Sequence, residues 1–180
     1  MLKACLNGGR NSDAHTAVPV TPAELAADAA RCASLGVAAV HVHPRHASGV
    51  ESLRPEVIAD ALTAIRAARP GLPVGVSTGA WIEPDPAARV ADSARILAAL
   101  PSSTGAPAGS PSAAHSPQDA VAPPVLLRAE GPATWAVLAE AVSRGLHTRV
   151  GLEDTLLLPD GTPAPGNAAL VTAALAAGAR

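Results

Sequence analysis

The stretch VAAVHVHPR, residues 37–45, decides the fold and the chemistry that this sequence predicts. Its apolar half predicts a short buried strand, and alternate side chains along a strand share one face. His41 and His43 therefore point to the same side, roughly 7 Å apart along the chain. Because an ordinary hydrophobic core does not bury two imidazoles, this face is either wet or binds a ligand.

Strands alternate with helices on both sides of this stretch. The predicted strands cover residues 2–7, 37–42, 72–79, 125–130 and 148–153. The predicted helices cover residues 20–36, 54–71, 85–100, 131–145 and 167–179. Such alternation is typical of parallel strands joined by right-handed crossovers, so we expect an α/β fold with five strand–helix units.

Three helix starts can be located from their capping residues. Thr21, Pro22 and Glu24 form a capping box with proline at the first helical position. Asp85 is predicted to cap the third helix and Asn167 the last one.

Residues 101–124 interrupt the alternation. They are rich in proline, serine, glycine and alanine, with neither a helical nor a strand period, so we predict a low-complexity linker. A structureless loop of this length is uncommon inside a compact domain. The length of the chain still suits one domain, and we expect residues 1–180 to form it.

The composition excludes several classes of protein. The 13 Lys and Arg residues nearly balance the 15 Asp and Glu residues without a basic stripe, so we expect no nucleic-acid partner. No apolar run suits a membrane span and no N-terminal signal stands out. Cys5 and Cys32 are interpreted as buried free thiols, which predicts a cytoplasmic protein. No glycine-rich phosphate-binding motif follows a strand, which argues against a dinucleotide or P-loop site.

Polar side chains collect at the predicted carboxyl ends of the strands, where parallel barrels place their chemistry. They are Asn7, His41, His43, Ser77, Thr78, Glu130, Glu153 and Asp154. Two histidines and one carboxylate with an open position form a catalytic metal pattern; zinc fits these ligands best, although iron also uses such sets. Neighbouring strand residues face opposite sides, so only one of Glu153 and Asp154 reaches a shared centre unless the strand ends there.

The chain resembles the β-keto acid cleavage enzymes in six segments: ACLNG, PVTPAELAADAA, VHVHPR, VGVSTGAWIEPDP, GPATW and TRVGLEDTLLLPDGTPAPGNAALV. The combination is specific, because HxHxR stands on the second predicted strand and RxGLEDxLxLxxGxxAxxN near the end. The resemblance implies a TIM-barrel-like fold. It is incomplete here, with about five of eight strand–helix units and residues 101–124 in place of the middle strands.

The resemblance also implies a reaction, in which a β-keto acid and acetyl-CoA become acetoacetate and a new acyl-CoA with the help of one Zn²⁺. Matched to the family pattern, the zinc ligands would be His41, His43 and Glu153; the catalytic residues Arg149, Asp154 and Asp13; and the substrate-binding residues Ser77, Thr78 and Asn7. Arg149 would hold a carboxylate or an enolate-like oxygen, and Asp154 beside it would stay ionised. Judged from its residue type alone, Asp154 is equally an exposed turn carboxylate.

Three departures from the family pattern affect these expectations. Arg45 is followed by His46 where the family usually has aspartate, so a carboxylate that could support a ligand is lost. Arg128 stands where a histidine is usual. The middle strands are missing, and five parallel strands do not close the usual barrel.

Three hypotheses for the function follow. The first is an active zinc-dependent acyl-transfer enzyme completed by self-association, for which we expect a homo-oligomer. The second is an inactive, truncated remnant of the family that still binds zinc. The third is a metal-dependent hydrolase of the amidohydrolase kind, which fits less well because there the histidine pair lies on the first strand.

Overall fold

The computed structural model describes residues 1–99 and 124–180, so only residue 124 of the predicted linker is among them. The described strands are β1 (Leu2–Cys5), β2 (Ala39–Val42), β3 (Val74–Val76), β4 (Leu126–Leu127) and β5 (His147–Val150). The described helices are α1 (Pro22–Ser34), α2 (Pro55–Ala68), α3 (Pro86–Ala99), α4 (Thr134–Ser143) and α5 (Asn167–Ala176), with a 3₁₀ turn at Gly131–Ala133.

The five strands form one parallel sheet in the order β3-β2-β1-β5-β4. Strand β1 is central and pairs in parallel with β2 on one side and β5 on the other. The first and last strands are therefore neighbours, as they are in a closed ring of strands. Strands β3 and β4 lie at the two edges, and the segment that joins them in sequence includes residues 100–123. The prediction of an incomplete TIM-barrel-like α/β fold is confirmed.

Two of the three predicted helix caps are confirmed, and both act through local hydrogen bonds. The Glu24 amide donates to Thr21 Oγ1, and the Glu24 carboxylate accepts from the Thr21 amide, which completes the capping box. Asp85 Oδ1 accepts from the Ala87 amide at the start of α3.

The predicted cap at Asn167 is wrong. Asn167 is the first residue of α5, and the preceding Gly166 occupies the cap position. Its buried side chain instead accepts from the Leu152 amide and donates to the Leu6 carbonyl and to Asp28 Oδ2. Asn167 thus joins α5, the β5 end, the β1 end and α1, because its amide satisfies backbone groups that the turns leave unpaired.

Small aliphatic side chains fill the core between the sheet and the helices. Leu2, Val40 and Val150 are fully buried on the three central strands. Cys5 and Cys32 are buried free thiols, as predicted, and Trp135 packs against the core. Among the helices of residues 1–99 and 124–180, none combines the length and apolar character needed to cross a bilayer.

Candidate active site

The two histidines of the opening stretch lie side by side at the carboxyl end of β2. His41 is in the strand and His43 is the first residue after it. Their Nε2 atoms are 3.2 Å apart and the rings meet edge to face. The face they share is polar, because His43 is only 3 % exposed and its Nε2 atom lies next to that of His41 rather than in packed hydrocarbon.

Glu153 joins the histidines from the turn that follows β5. Its Oε2 lies 3.8 Å from His41 Nε2 and 3.7 Å from His43 Nε2. One ligand atom from each of the three residues lies within 4.8 Å of the others. Because β1 pairs with both β2 and β5, the carboxyl ends of these strands open at one edge, and chain segments far apart in sequence meet there.

These three side chains fit a divalent metal ion. Glu153 Oε2 is buried and has no hydrogen-bond partner in the part of the chain that the structure describes. Burial, and to a lesser degree His43 and Arg149, lower the pKa of His41 to about 4 despite the opposing effect of Glu153. Its imidazole is therefore neutral near pH 7, the form that binds metals. Two imidazoles and a carboxylate supply three ligands and leave a position open for a substrate.

Arg149 connects Glu153 to Asp154. Its Nη2 atom lies 2.8 Å from Glu153 Oε1 and 2.6 Å from Asp154 Oδ1. Strand β5 ends at Val150, and residues 151–154 form a turn. Glu153 and Asp154 therefore do not have to face opposite sides, as neighbouring residues of a strand would, and both carboxylates reach the same guanidinium.

Asp154 is a buried carboxyl group, which removes the alternative of an exposed turn residue. It is fully buried. Burial raises the pKa of Asp154 to about 7, assisted by the charge of Glu153 and opposed by Arg149. The expectation of a permanently ionised carboxylate considered only the arginine; here desolvation outweighs it. A carboxyl group with this pKa exchanges a proton near neutral pH.

The family model for beta-keto acid cleavage enzymes matches residues 1–121 and 125–180. The chain belongs to the beta-keto acid cleavage enzyme family. A comparison with curated proteins finds no match. Membership of this family implies small-molecule substrates of the β-keto acid type.

The structure places the other predicted residues of this family member in three different settings. Ser77 follows β3 and is buried, and its hydroxyl accepts from the Gly79 amide. Thr78 beside it is exposed. Asp13 is exposed and accepts a hydrogen bond from Asn11 Nδ2. It does not belong to the cluster of His41, His43 and Glu153.

Asn7 is fully buried beneath the histidines. Its Nδ2 donates to the carbonyls of Pro19 and His43, and its Oδ1 accepts from the His43 amide. The side chain therefore hydrogen-bonds both the carbonyl and the amide of His43 and fixes the backbone there. Contact with a substrate would require it to exchange one of these bonds, so its substrate-binding role stays a prediction.

The sequence analysis missed Glu51, Trp81 and Gly8. Glu51 Oε2 lies 2.8 Å from His43 Nδ1 and accepts from Trp81 Nε1. Gly8 lies against the Glu153 side chain. One signal in the sequence could have pointed to Glu51, because it is the only carboxylate between His43 and the start of α2. Its position in the sequence does not show, however, whether its side chain turns toward His43.

A cavity of about 580 Å³ adjoins the turn that carries Glu153. Trp135, Leu156 and Leu158 contribute apolar walls, and Arg10 lies at its border. Arg10 Nε also donates to the Glu153 carbonyl. The turn that carries Glu153 therefore lies beside a cavity with room for an apolar group next to a positive charge.

Proposed function

We propose that this chain is a zinc-dependent β-keto acid cleavage enzyme, which exchanges acyl groups between a β-keto acid and acetyl-CoA to give acetoacetate and an acyl-CoA. The observation that carries the proposal is the meeting of His41, His43 and Glu153 beside the Arg149–Asp154 pair. Family membership supports the substrate class. The three ligand atoms support the metal, and zinc suits imidazole and carboxylate ligands.

The reaction moves one two-carbon unit. The bond between the ketone carbon and the CH₂–carboxylate unit of the β-keto acid breaks, and the acetyl–sulfur bond of acetyl-CoA breaks. The CH₂–carboxylate unit bonds to the acetyl carbon to give acetoacetate, and the CoA sulfur bonds to the original acyl carbon to give the new acyl-CoA. His41, His43 and Glu153 would hold the zinc ion, which would supply a Lewis acid for the ketone oxygen.

Arg149 and Asp154 suit two tasks in this reaction, which are binding the substrate carboxylate and transferring a proton. Arg149 Nε and Asp154 Oδ2 are both buried without a hydrogen-bond partner among the described residues, and a bound substrate would satisfy such atoms. Arg149 would hold the substrate carboxylate through its planar guanidinium. Asp154 would carry the proton, since its pKa of about 7 allows both protonation states near neutral pH. Ser77 would orient the substrate from the end of β3.

Self-association and a cytoplasmic location are part of the proposal. Of the described strands, β3 and β4 each have a single neighbour, and unpaired strand edges attract other strands. A homo-oligomer would cover these edges. The free, buried state of Cys5 and Cys32 suits a reducing compartment. Sedimentation velocity of the purified chain tests the first point, and a monomer at all concentrations would contradict it.

The decisive experiment measures zinc and acetoacetate in the same preparation. We expect one zinc per chain and zinc-dependent acetoacetate formation from acetyl-CoA with at least one member of a panel of β-keto acids. His43→Ala should lose the zinc. His46→Ala is the matched control, because His46 lies three residues away and is not part of the ligand cluster; it should keep both zinc and activity. Full zinc content in His43→Ala would contradict the ligand assignment.

The other two hypotheses predict different results in that experiment. Zinc without acetoacetate formation would support the inactive remnant. Hydrolysis of an amide without CoA would support the metal-dependent hydrolase, although the structure has the histidine pair at the carboxyl end of β2 rather than on the first strand.

A further inference from the structure

Glu51 lies in the loop between β2 and α2, where it faces back toward the candidate metal site. The loop doubles back on itself through an antiparallel bridge between Arg45 and Glu51. This turn brings the Glu51 carboxylate to His43, with Oε2 2.8 Å from Nδ1. The Glu51 and His43 side chains are only 12 % and 4 % exposed, so water competes weakly for this hydrogen bond.

The contact decides which nitrogen of His43 faces the site. A carboxylate oxygen only accepts hydrogen bonds, so His43 Nδ1 carries the hydrogen and donates the hydrogen bond to Glu51. In the neutral ring the lone pair then lies on Nε2, on the side of His41 Nε2 and Glu153 Oε2. A histidine that binds a metal through Nε2 needs this tautomer.

Glu51 is itself held by two further side chains. Trp81 Nε1 donates to the same Oε2 over 3.2 Å, and the indole stacks on the His43 ring at an interplanar angle of 18°. Arg45 Nη2 lies 3.7 Å from Oε1. Arg45 is fixed in turn by the carbonyls of Gly8, Arg10 and Gly49. The carboxylate therefore stands in a fixed place between the loops that follow β1, β2 and β3.

We propose that Glu51 is a positioning residue that presents the Nε2 lone pair of His43 to the metal ion. This inference rests on the proposed function for the presence of zinc, while the Glu51–His43 contact stands without it. Glu51 thereby supplies the supporting carboxylate that is absent at position 46, where the chain has a histidine. Carboxylates that hold the outer nitrogen of a ligating histidine commonly change metal affinity by about 10–100-fold.

Three variants test the proposal through zinc affinity. Glu51→Ala should weaken zinc binding about 10–100-fold in a chelator competition assay. Glu51→Gln keeps an oxygen that can accept from both Nδ1–H and Trp81 Nε1–H, so its loss should be smaller. Glu56→Ala is the matched control, since Glu56 is exposed and pairs with Arg54 on the surface; it should bind zinc like the wild type. Circular dichroism verifies that each variant is folded.

A second measurement needs no metal. Nitrogen-15 NMR of the histidine rings in the metal-free chain should show His43 protonated at Nδ1 in the wild type and in Glu56→Ala, and a mixture of tautomers in Glu51→Ala. Unchanged zinc affinity or an unchanged tautomer in folded Glu51→Ala would overturn the positioning role. Absence of zinc binding in the wild type, together with the expected tautomers, would overturn the proposed function and leave the Glu51–His43 contact established.

Discussion

Gly8 and Glu153 are in such close contact that a Cβ atom on Gly8 would lie 2.4 Å from Glu153 Cγ. They follow β1 and β5, which are neighbours in the sheet. The Gly8 backbone has a φ of +55°, a conformation that side chains disfavour. Glycine at position 8 therefore gives the Glu153 side chain the space through which it reaches the two histidines.

A Gly8→Ala substitution should impair the metal site more than the fold. The new methyl group forces Glu153 aside, so we expect zinc affinity to fall about 10–100-fold, as when a neighbour of a metal ligand is changed. Left-handed alanine also costs roughly 1–2 kcal/mol of stability. Gly145→Ala is the control, because its φ is +65° and no described atom lies within 4 Å of its added Cβ. Zinc titration of the two variants should separate them; equal affinities would contradict the role of Gly8.

The sequence predicted those parts of the structure that local chemistry decides. Helix α1 begins as expected because Thr21 and Glu24 satisfy each other's backbone amides within one turn. The shared face of the two histidines follows from the strand period alone.

Long-range contacts explain what the sequence did not predict. Strand β5 ends before Glu153 because Gly151 packs against the Cys5 carbonyl, 1.9 Å from where a Cβ would lie, and the chain turns there. Asn167 looks like a helix cap, but its partners are Leu6, Leu152 and Asp28, which are distant in sequence. The order of residues around position 167 contains no information on partners that lie far away in the sequence.

Arg149→Lys tests whether the planar guanidinium matters beyond its charge. Arg149 reaches Glu153 and Asp154 through one nitrogen, and its buried Nε has no hydrogen-bond partner among the described residues. Lysine retains the charge but loses that second donor. We expect acetoacetate formation to fall about 10²–10³-fold, the usual loss when one fixed donor is removed from an active site. Arg144→Lys, which alters an exposed helix pair with Glu140, should react at the wild-type rate. Equal rates for both variants would remove Arg149 from the reaction.

Asn167→Ala should destabilise the protein without changing the candidate metal ligands His41, His43 and Glu153. The change leaves the buried Leu152 amide and Leu6 carbonyl without their partners. Unpaired buried groups of this kind cost about 1–3 kcal/mol each, so we expect a loss of about 3 kcal/mol in urea unfolding. Thr172→Ala on the exposed side of the same helix removes only a hydroxyl bond to Ala168 and should change stability by less than about 0.5 kcal/mol. A comparable loss in both variants would contradict the bridging role of Asn167.

Asp28→Asn should become more stable relative to the wild type as the pH rises. Asp28 is 4 % exposed, and burial raises its pKa, opposed by the hydrogen bond from Asn167 and by Arg31. The native state then holds the proton more tightly than the unfolded chain, whose aspartate pKa is about 3.9. The free energy of unfolding of the wild type therefore falls as pH rises from that value through the raised native pKa. Asparagine keeps an oxygen for Asn167 and does not titrate. Urea unfolding of both proteins between about pH 4 and pH 7 measures the difference.

Asp160→Asn is the control for this pH dependence, because the pKa of Asp160 is lowered in the native state whereas that of Asp28 is raised. The side chain and amide of Thr162 donate to Asp160 and lower its pKa. The unfolded chain holds that proton more tightly, so the charged carboxylate stabilises the native state as pH rises through the acid range. The stability of Asp160→Asn relative to the wild type should therefore fall as pH rises toward about 4, and then stay nearly constant over the range in which that of Asp28→Asn rises. The same trend in both variants would show that burial does not control the titration of Asp28.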